Sequence, residues 1–365
     1  INTNKSDVYE EQNKISIKKN KNMLSMNLEQ TAGAGDYKTV TRSSWPTEGY
    51  KFNAELSSCE NGSTLSWDDT KKAVIMQGNV SDKCYVYFDI WIPSIAAYCT
   101  SGTDLATCVK NFGDQGPSVS NIYHHDSSLA NGARDNSYRY AGANPNNFVC
   151  FGSDASPCPI DNLYRIIGVF GDQAKVIRAK SVGDKQWHTS QVNTWSSSSL
   201  NTYLNGTYLT SLGTLAEKIA TTTWKVGGGS WSNIGTSVPK TAYQYEVGSS
   251  ASTTTVDKKI GLMYVSDYYY SASPSAWTLV GYNGSDATKD YRAAKTTNWL
   301  YLGSYEWTIS RDSGTTNYAF YVRGTGSVDV YSATISYAVR PSFNLESSVK
   351  YVSGSGTIEN PIRIN

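Results

Sequence analysis

Residues able to do chemistry are few in this chain, and none stands in a catalytic spacing. The three histidines are His124, His125 and His188. His124-His125-Asp126 is the one cluster of metal-ligand types, and adjacent residues ligate a single ion poorly, so no metal site is expected. There is no G-x-S-x-G nucleophile elbow, no Walker loop and no H-E-x-x-H pair. Carboxylates such as Asp312 and Asp329 fall in no paired acid–base motif. The sequence therefore reads as a protein that binds without a cofactor and is not an enzyme.

Cysteine is the remaining reactive type, and here it points to structure. The six are Cys59, Cys84, Cys99, Cys108, Cys150 and Cys158. An even number suggests three disulfides and an oxidising compartment. Several connectivities remain open from sequence, of which nearest-neighbour pairing (Cys59–Cys84, Cys99–Cys108, Cys150–Cys158) is the simplest. Each such loop is short, and closing one contributes about 3 kcal/mol if unstrained.

Composition narrows the class of partner. Net charge is +1 over 365 residues, with 17% charged, which gives no electrostatic reason to expect nucleic acid or a membrane surface. The 27 Tyr and 10 Trp outnumber the 8 Phe and 4 Met, so most aromatics keep a polar handle suited to half-wet binding faces. Tyr also favours strands, but here the tyrosines crowd between Tyr264 and Tyr351. The chain opens at Ile1 without a signal peptide or a run of about 18 apolar residues, which reads as a mature or trimmed form whose membrane contact would lie in an anchor outside it.

The elements that must carry these residues fall into an α+β order. Residues 1–22, Lys- and Asn-rich, read as a stalk or linker. Residues 23–92 read as a small disulfide-linked, β-sandwich-like module with strands near Tyr50–Leu56, Thr64–Trp67, Ala73–Gln77 and Cys84–Ile90. Residues 93–136 form a loop-rich connection with a short helix at Ser101–Asn111, capped by Thr103 or Asp104. From 137 to 365 the pattern predicts one larger domain. Its strands include Tyr138–Tyr140, Phe148–Phe151 and a hairpin of Leu163–Phe170 and Ala174–Ala179. A helix opens at Ser199, repeats Leu200, Leu204, Tyr208 and Leu212, and stops at Gly213. A second short helix is expected over Leu215–Ala220.

The C-terminal third carries a series of spaced motifs. Trp307-Thr308-Ile309-Ser310 is followed by Ala319-Phe320-Tyr321-Val322-Arg323, then Gly326-Ser327-Val328, and closes on Tyr337-Ala338-Val339-Arg340-Pro341. This series resembles the C-type-lectin-fold variable proteins of diversity-generating retroelements, over about residues 134–345. Trp195–Leu212 and Trp299-Leu300-Tyr301-Leu302-Gly303 fit the order of that fold. The chain also resembles an uncharacterised surface-protein family of Gram-positive gut bacteria and their prophages, including the stretch Met23–Tyr37 and the tail Gly354–Arg363. The resemblance implies a C-type-lectin-like domain at the surface of, or outside, a Gram-positive bacterium, binding a protein or glycan on another cell or surface. The calcium motifs of sugar-binding lectins are missing, and Asn144-Pro145-Asn146 does not replace them. The cysteines of formylglycine-generating relatives are missing too, since no Cys follows Cys158.

Strand parity places the expected binding face. In Ala319–Arg323, Phe320 and Val322 point to the core, and Tyr321 and Arg323 point away from it. The polar run before the strand reads as an adjacent loop. Arg311, Asp312, Thr315, Thr316, Asn317, Tyr321, Arg323, Ser327, Asp329 and Tyr331 are thus expected on one exposed, ligand-binding surface. A structural surface or pilus-like subunit is the alternative function, and an enzyme acting on wall glycan or protein the second alternative.

Overall fold

The computed structural model describes residues 14–20, 23–29, 37–40, 50–68, 70–78, 82–90 and 93–365. The chain divides into two compact units, Ile1–Pro93 and Ser94–Asn365. No helix among the described residues is long and apolar enough to cross a membrane.

The described part of the first unit is all β: β1 (Lys14–Asn20), β2 (Met23–Glu29), β3 (Tyr37–Val40), β4 (Tyr50–Cys59), β5 (Thr64–Asp68), β6 (Ala73–Gln77) and β7 (Asp82–Ile90). The sheet order is β3-β2-β1-β7-β4, with β5 and β6 as a separate hairpin. Of the expected linker, Lys14–Asn20 forms β1, which pairs with both β2 and β7, while residues 1–13 lie outside the described residues. In β7, Cys84, Val86 and Phe88 are buried while Tyr85 and Tyr87 are half-exposed, the two-residue alternation of a strand with one covered face. Phe52 and Trp67 set their ring edges on Phe88 at 6.0 and 5.8 Å. Cys59 and Cys84 are directly paired across β4 and β7 and joined by a disulfide.

The second unit mixes helix and sheet. Its strands are β8 (Ile122–His124), β9 (Tyr138–Tyr140), β10 (Phe148–Cys150), β11 (Leu163–Phe170), β12 (Gln173–Arg178), β13 (Asp184–Gln186), β14 (Thr222–Lys225) and β15 (Thr255–Lys258). They continue with β16 (Glu306–Arg311), β17 (Tyr318–Val322), β18 (Val328–Ser332), β19 (Ser336–Ala338), β20 (Ser342–Asn344), β21 (Tyr351–Ser353) and β22 (Ile362–Ile364). One sheet runs β20-β12-β11-β10-β22-β21, with β9 pairing to β11 and β8 to β9; a second runs β13-β19-β16-β17-β18; β14 and β15 pair separately.

Local chemistry explains several of these elements. The helix Leu105–Gly113 buries Leu105, Cys108, Val109 and Phe112, one stripe at helical spacing. Cys99–Cys108 ties it to the preceding loop, and Cys150–Cys158 closes the third disulfide, so all six cysteines are paired. The predicted helix at Ser199 is continuous to Ser211, with the Ser198 side chain accepting from Asn201 N at 3.0 Å as its cap. Its middle, Leu204–Tyr208, is a π-turn. A strict four-residue apolar repeat outruns the 3.6-residue turn of an α-helix, and the wider turn keeps Leu200, Leu204 and Tyr208 all buried. Gly213, at φ 57°, ends the segment in the left-handed conformation. The second helix there is a 3-10 turn over Gly213–Lys218.

A charged cluster sits inside this unit. Gly168 lets β9 lie against β11, since a Cβ there would meet Tyr138 O at 2.4 Å. That approach buries Arg139, which bonds Asp135 at 2.5 Å and Ser137 at 2.8 Å and lies 3.6 Å from Asp267. Its guanidinium also lies over Phe170, Tyr243 and Tyr270 at 4.6–5.4 Å. Lys175, also buried, reaches Asp267 from β12 at 2.5 Å.

Beside this cluster His125 is fully buried, its Nδ1 accepting from Ala133 N at 3.0 Å and its ring against Tyr270 and Trp277. Burial, and then the Arg139 charge, hold its pKa well below the ordinary 6.5. In the unfolded chain the ring takes up a proton below about pH 6.5 while the folded ring stays neutral, so this contribution to stability is complete above that pH and falls as the pH drops beneath it. Denaturation from pH 7.5 to 5 should show the stability gap between wild type and His125→Phe narrowing on acidification, by up to about 1.4 kcal/mol per pH unit. A gap independent of pH would remove His125 as the source.

Candidate functional site

The sheet β13-β19-β16-β17-β18 builds a face of rings. Trp307 on β16 pairs with Tyr321 on β17, and Tyr321 with Asp329 on β18. Directly opposed residues share a face, so these three form one row across the sheet. The opposite parity, Phe320 and Val322, is buried as strand alternation requires, with Phe320 stacked near Trp231 at 6.3 Å between ring centres.

Tyr321 does not lie open, which corrects the expected surface. It is only 4% exposed. Trp307, Tyr305 and Tyr337 lie within 5.9, 5.8 and 4.7 Å of its ring and cover it. Parity gave its direction correctly, but the segment before β16 and strand β19 bring rings over it that parity does not report.

Two more expected positions are buried. Asp312 turns inward at the end of β16, accepting from Gly314 N at 3.0 Å, while its backbone bridges to Gly229. The bridge needs glycine: a Cβ on Gly228 would lie 2.0 Å from Arg311 O. Ser327 is buried in the tight turn before β18, its hydroxyl 3.2 Å from that of Thr325. Buried Asn193 organises the loop, donating to the carbonyls of Asp312, Thr315 and Tyr318 at 2.9, 3.1 and 2.7 Å. Arg311, Thr315 and Asn317 are half-buried, and Arg311 Nε donates to Gly227 O at 3.0 Å.

Of the expected positions only Thr316 and Tyr331 are exposed, Arg323 and Asp329 being half-buried like Arg311, and sequence reasoning missed three tyrosines beside them. Tyr305 is 51% and Tyr331 48% exposed, Tyr318 is exposed and stacks on Tyr331 at 6.3 Å, and Tyr337 is half-buried. Arg323 forms an ion pair with Asp329, lies 3.4 Å from the Tyr321 hydroxyl and sets its guanidinium 5.3 Å from the Tyr282 ring centre. Burial, and then Tyr321, raise the Tyr337 pKa, so its phenol stays a neutral donor at physiological pH. The face thus offers flat apolar rings, phenolic hydroxyls and one charge pair. Crowding of tyrosine in this part of the sequence was the available signal for the three that were missed.

The histidines do not converge on an ion. His124 stacks on Tyr138 at 4.1 Å and bonds Asn136, while the His125 ring packs with Tyr270 and Trp277. Among the described residues, the one group of three metal-ligand types within reach of each other is Cys59, Asp82 and Cys84, whose sulfurs form a disulfide.

No curated protein and no solved structure matches the chain. Residues 171–347 match the model of a domain of unknown function, DUF6273, a span that runs from the β11–β12 turn past β20 and contains the whole tyrosine face together with Lys175 and Asp267.

Proposed function

We propose that the chain is a surface-displayed ligand-binding protein of adhesin or receptor type, which takes a protein or glycan through the tyrosine face of β16–β19 on a C-type-lectin-like scaffold. The observation that carries this reading is a set of exposed rings along this sheet: Tyr305 packs on Tyr321, whose hydroxyl meets Arg323 and Asp329, and Tyr331, two residues along β18 from Asp329, carries Tyr318 stacked on it. Tyr268, Tyr269, Tyr270 and Tyr291, by contrast, are buried in the core. Exposed rings with hydroxyl rims supply contact area at low entropic cost and suit both sugar faces and protein hot spots. Three disulfides agree with a place outside the cytoplasm.

Binding to a glycan array and to cultured cells tests it. Tyr305→Ala and Tyr331→Ala should each weaken binding by about 2 kcal/mol, roughly thirtyfold, as truncated hot-spot rings do. The melting temperature of Tyr331→Ala should stay at the wild-type value, since its ring is half in water, while Tyr305→Ala should lose a little stability by uncovering Tyr321. Equal binding by wild type and both variants would move the site off this face.

A further inference from the structure

We propose that Lys175 and Asn344 become joined by an intramolecular amide bond between Lys175 Nζ and Asn344 Cγ, with Asp267 carrying the proton. The two residues are direct partners across the antiparallel pair β12–β20. Directly opposed side chains leave the same face of the sheet with Cβ atoms about 5 Å apart. Both line one pocket of ≈ 150 Å³, together with Asp267, Phe170, Trp224, Tyr264 and Thr222.

Each chemical part is present. The nucleophile is a buried amine: Lys175 Nζ donates to Asp267 Oδ2 at 2.5 Å and lies 4.6, 5.3 and 5.6 Å from the ring centres of Tyr264, Trp224 and Phe170. Burial pushes the ammonium pKa down, against the pull of Asp267. The Arg139 guanidinium, which lines the same pocket, works in the same direction as burial and brings the free amine closer in energy to the ammonium. The electrophile is the Asn344 amide. Its Nδ2 bonds Thr222 Oγ1 at 3.0 Å, and its Oδ1 is buried with no partner. The two ends of an amide are interchangeable in shape. Turned over, the carbonyl oxygen accepts from the Thr222 hydroxyl, which polarises Cγ, and the NH₂ faces the pocket as leaving group.

The step balances without oxidant or cofactor. Asp267 takes one proton from the Lys175 ammonium, and the free amine attacks Cγ. The N–C bond forms, Asp267 hands its proton to the Asn344 nitrogen and takes the second proton from the attacking nitrogen, and the Cγ–Nδ2 bond breaks to release ammonia, which carries that second proton away as ammonium. The product ties β12 to β20 and so clamps both ends of the 171–347 segment. A clamp of this kind resists pulling in a way that a salt bridge does not, a property useful to a protein that holds a ligand under load.

The test is the mass of the reduced, full-length wild-type protein followed by tryptic mapping. The mass should fall short of the sequence value by one ammonia. Cleavage after Lys175 should be blocked, and a branched species should join residues 166–178 to residues 324–350. Lys175→Arg and Asn344→Ala should each abolish the branched species and restore the full mass. The wild-type map decides even if those variants fold badly. Cleavage after Lys175 with no branched species overturns the proposal, as does tracing the lost ammonia to a succinimide at any asparagine. Neither result bears on the tyrosine face, which Tyr305→Ala and Tyr331→Ala test separately.

Discussion

Arg340→Ala should destabilise the second unit by about 3–5 kcal/mol, the cost of stranding one partner of a buried ion pair. Arg340 Nε donates to Glu306 Oε1 at 2.6 Å and Nη2 to Oε2 at 2.9 Å, a two-point contact, while Nη2 also meets Leu300 O at 2.6 Å. Both side chains are buried. Burial alone drives the Glu306 pKa up, and Arg340 is what opposes it. Without the guanidinium the carboxyl must stay charged in an apolar site or take a proton, and both routes cost stability. The damage should be specific to the unpaired state. Arg340→Met combined with Glu306→Leu, which removes both charges at similar volume, should recover most of the loss, because a well-packed apolar pair can equal or exceed a buried ion pair. Urea denaturation of the two single variants and the double variant would decide it. A single-variant loss under about 1 kcal/mol would place the pair with solvent-screened bridges instead.

What was legible in the sequence follows from the range over which each signal acts. The hairpin of β11 and β12 shows because its two apolar runs flank a turn at Gly171, a signal contained in sixteen residues (163–178). The disulfides follow nearest-neighbour order because each links segments already close in the chain. Parity in Ala319–Arg323 correctly sends Phe320 and Val322 inward. Parity does not say whether the other side is covered, so Tyr321, sealed by Tyr305 and Tyr337, was read as exposed. Asp312 and Ser327 were misplaced for a related reason. A polar side chain can be buried once the local backbone satisfies it, and that bonding follows from turn geometry rather than composition. In Lys14–Asn20 the alternation Lys14-Ile15-Ser16-Ile17-Lys18 was available, but the Lys- and Asn-rich composition outweighed it.

The charged cluster lay beyond such reading altogether. Arg139, Lys175 and Asp267 occupy three elements separated by tens of residues, and each alone looks like an ordinary surface charge. Their burial depends on β9 crossing at Gly168 and on the helix Val265–Tyr270 presenting its first turn to the interior. The tyrosine face also depends on long-range assembly, since Tyr337 reaches Trp307 and Tyr321 only because β19 runs parallel to β16.

Glu246→Ala should cost the second unit about 3 kcal/mol or more, because two backbone donors and a hydroxyl lose their acceptor together. Glu246 ends the helix Pro239–Glu246 and is buried. One carboxylate oxygen accepts from Val265 N at 2.8 Å and the other from Ser266 N at 2.8 Å, and the Ser310 hydroxyl closes on the first. Val265 and Ser266 open the helix Val265–Tyr270, so their N–H groups have no partner within it. A negative charge at that end also opposes the helix dipole favourably. The helix has only six residues, too few to hold itself together in water, so it depends on this anchorage and on burial of Tyr268 and Tyr269. Glu246→Gln is the more informative variant. It keeps the shape but offers one oxygen and one NH₂, so one backbone N–H must face another donor. Its loss should be smaller than that of alanine yet remain above about 1 kcal/mol, the ordinary worth of one buried hydrogen bond. Hydrogen exchange at Val265 and Ser266 should accelerate in both variants before exchange in β11 and β12 does. A glutamine variant as stable as wild type, with unchanged exchange at those two amides, would show that neither the charge nor the second oxygen holds the helix.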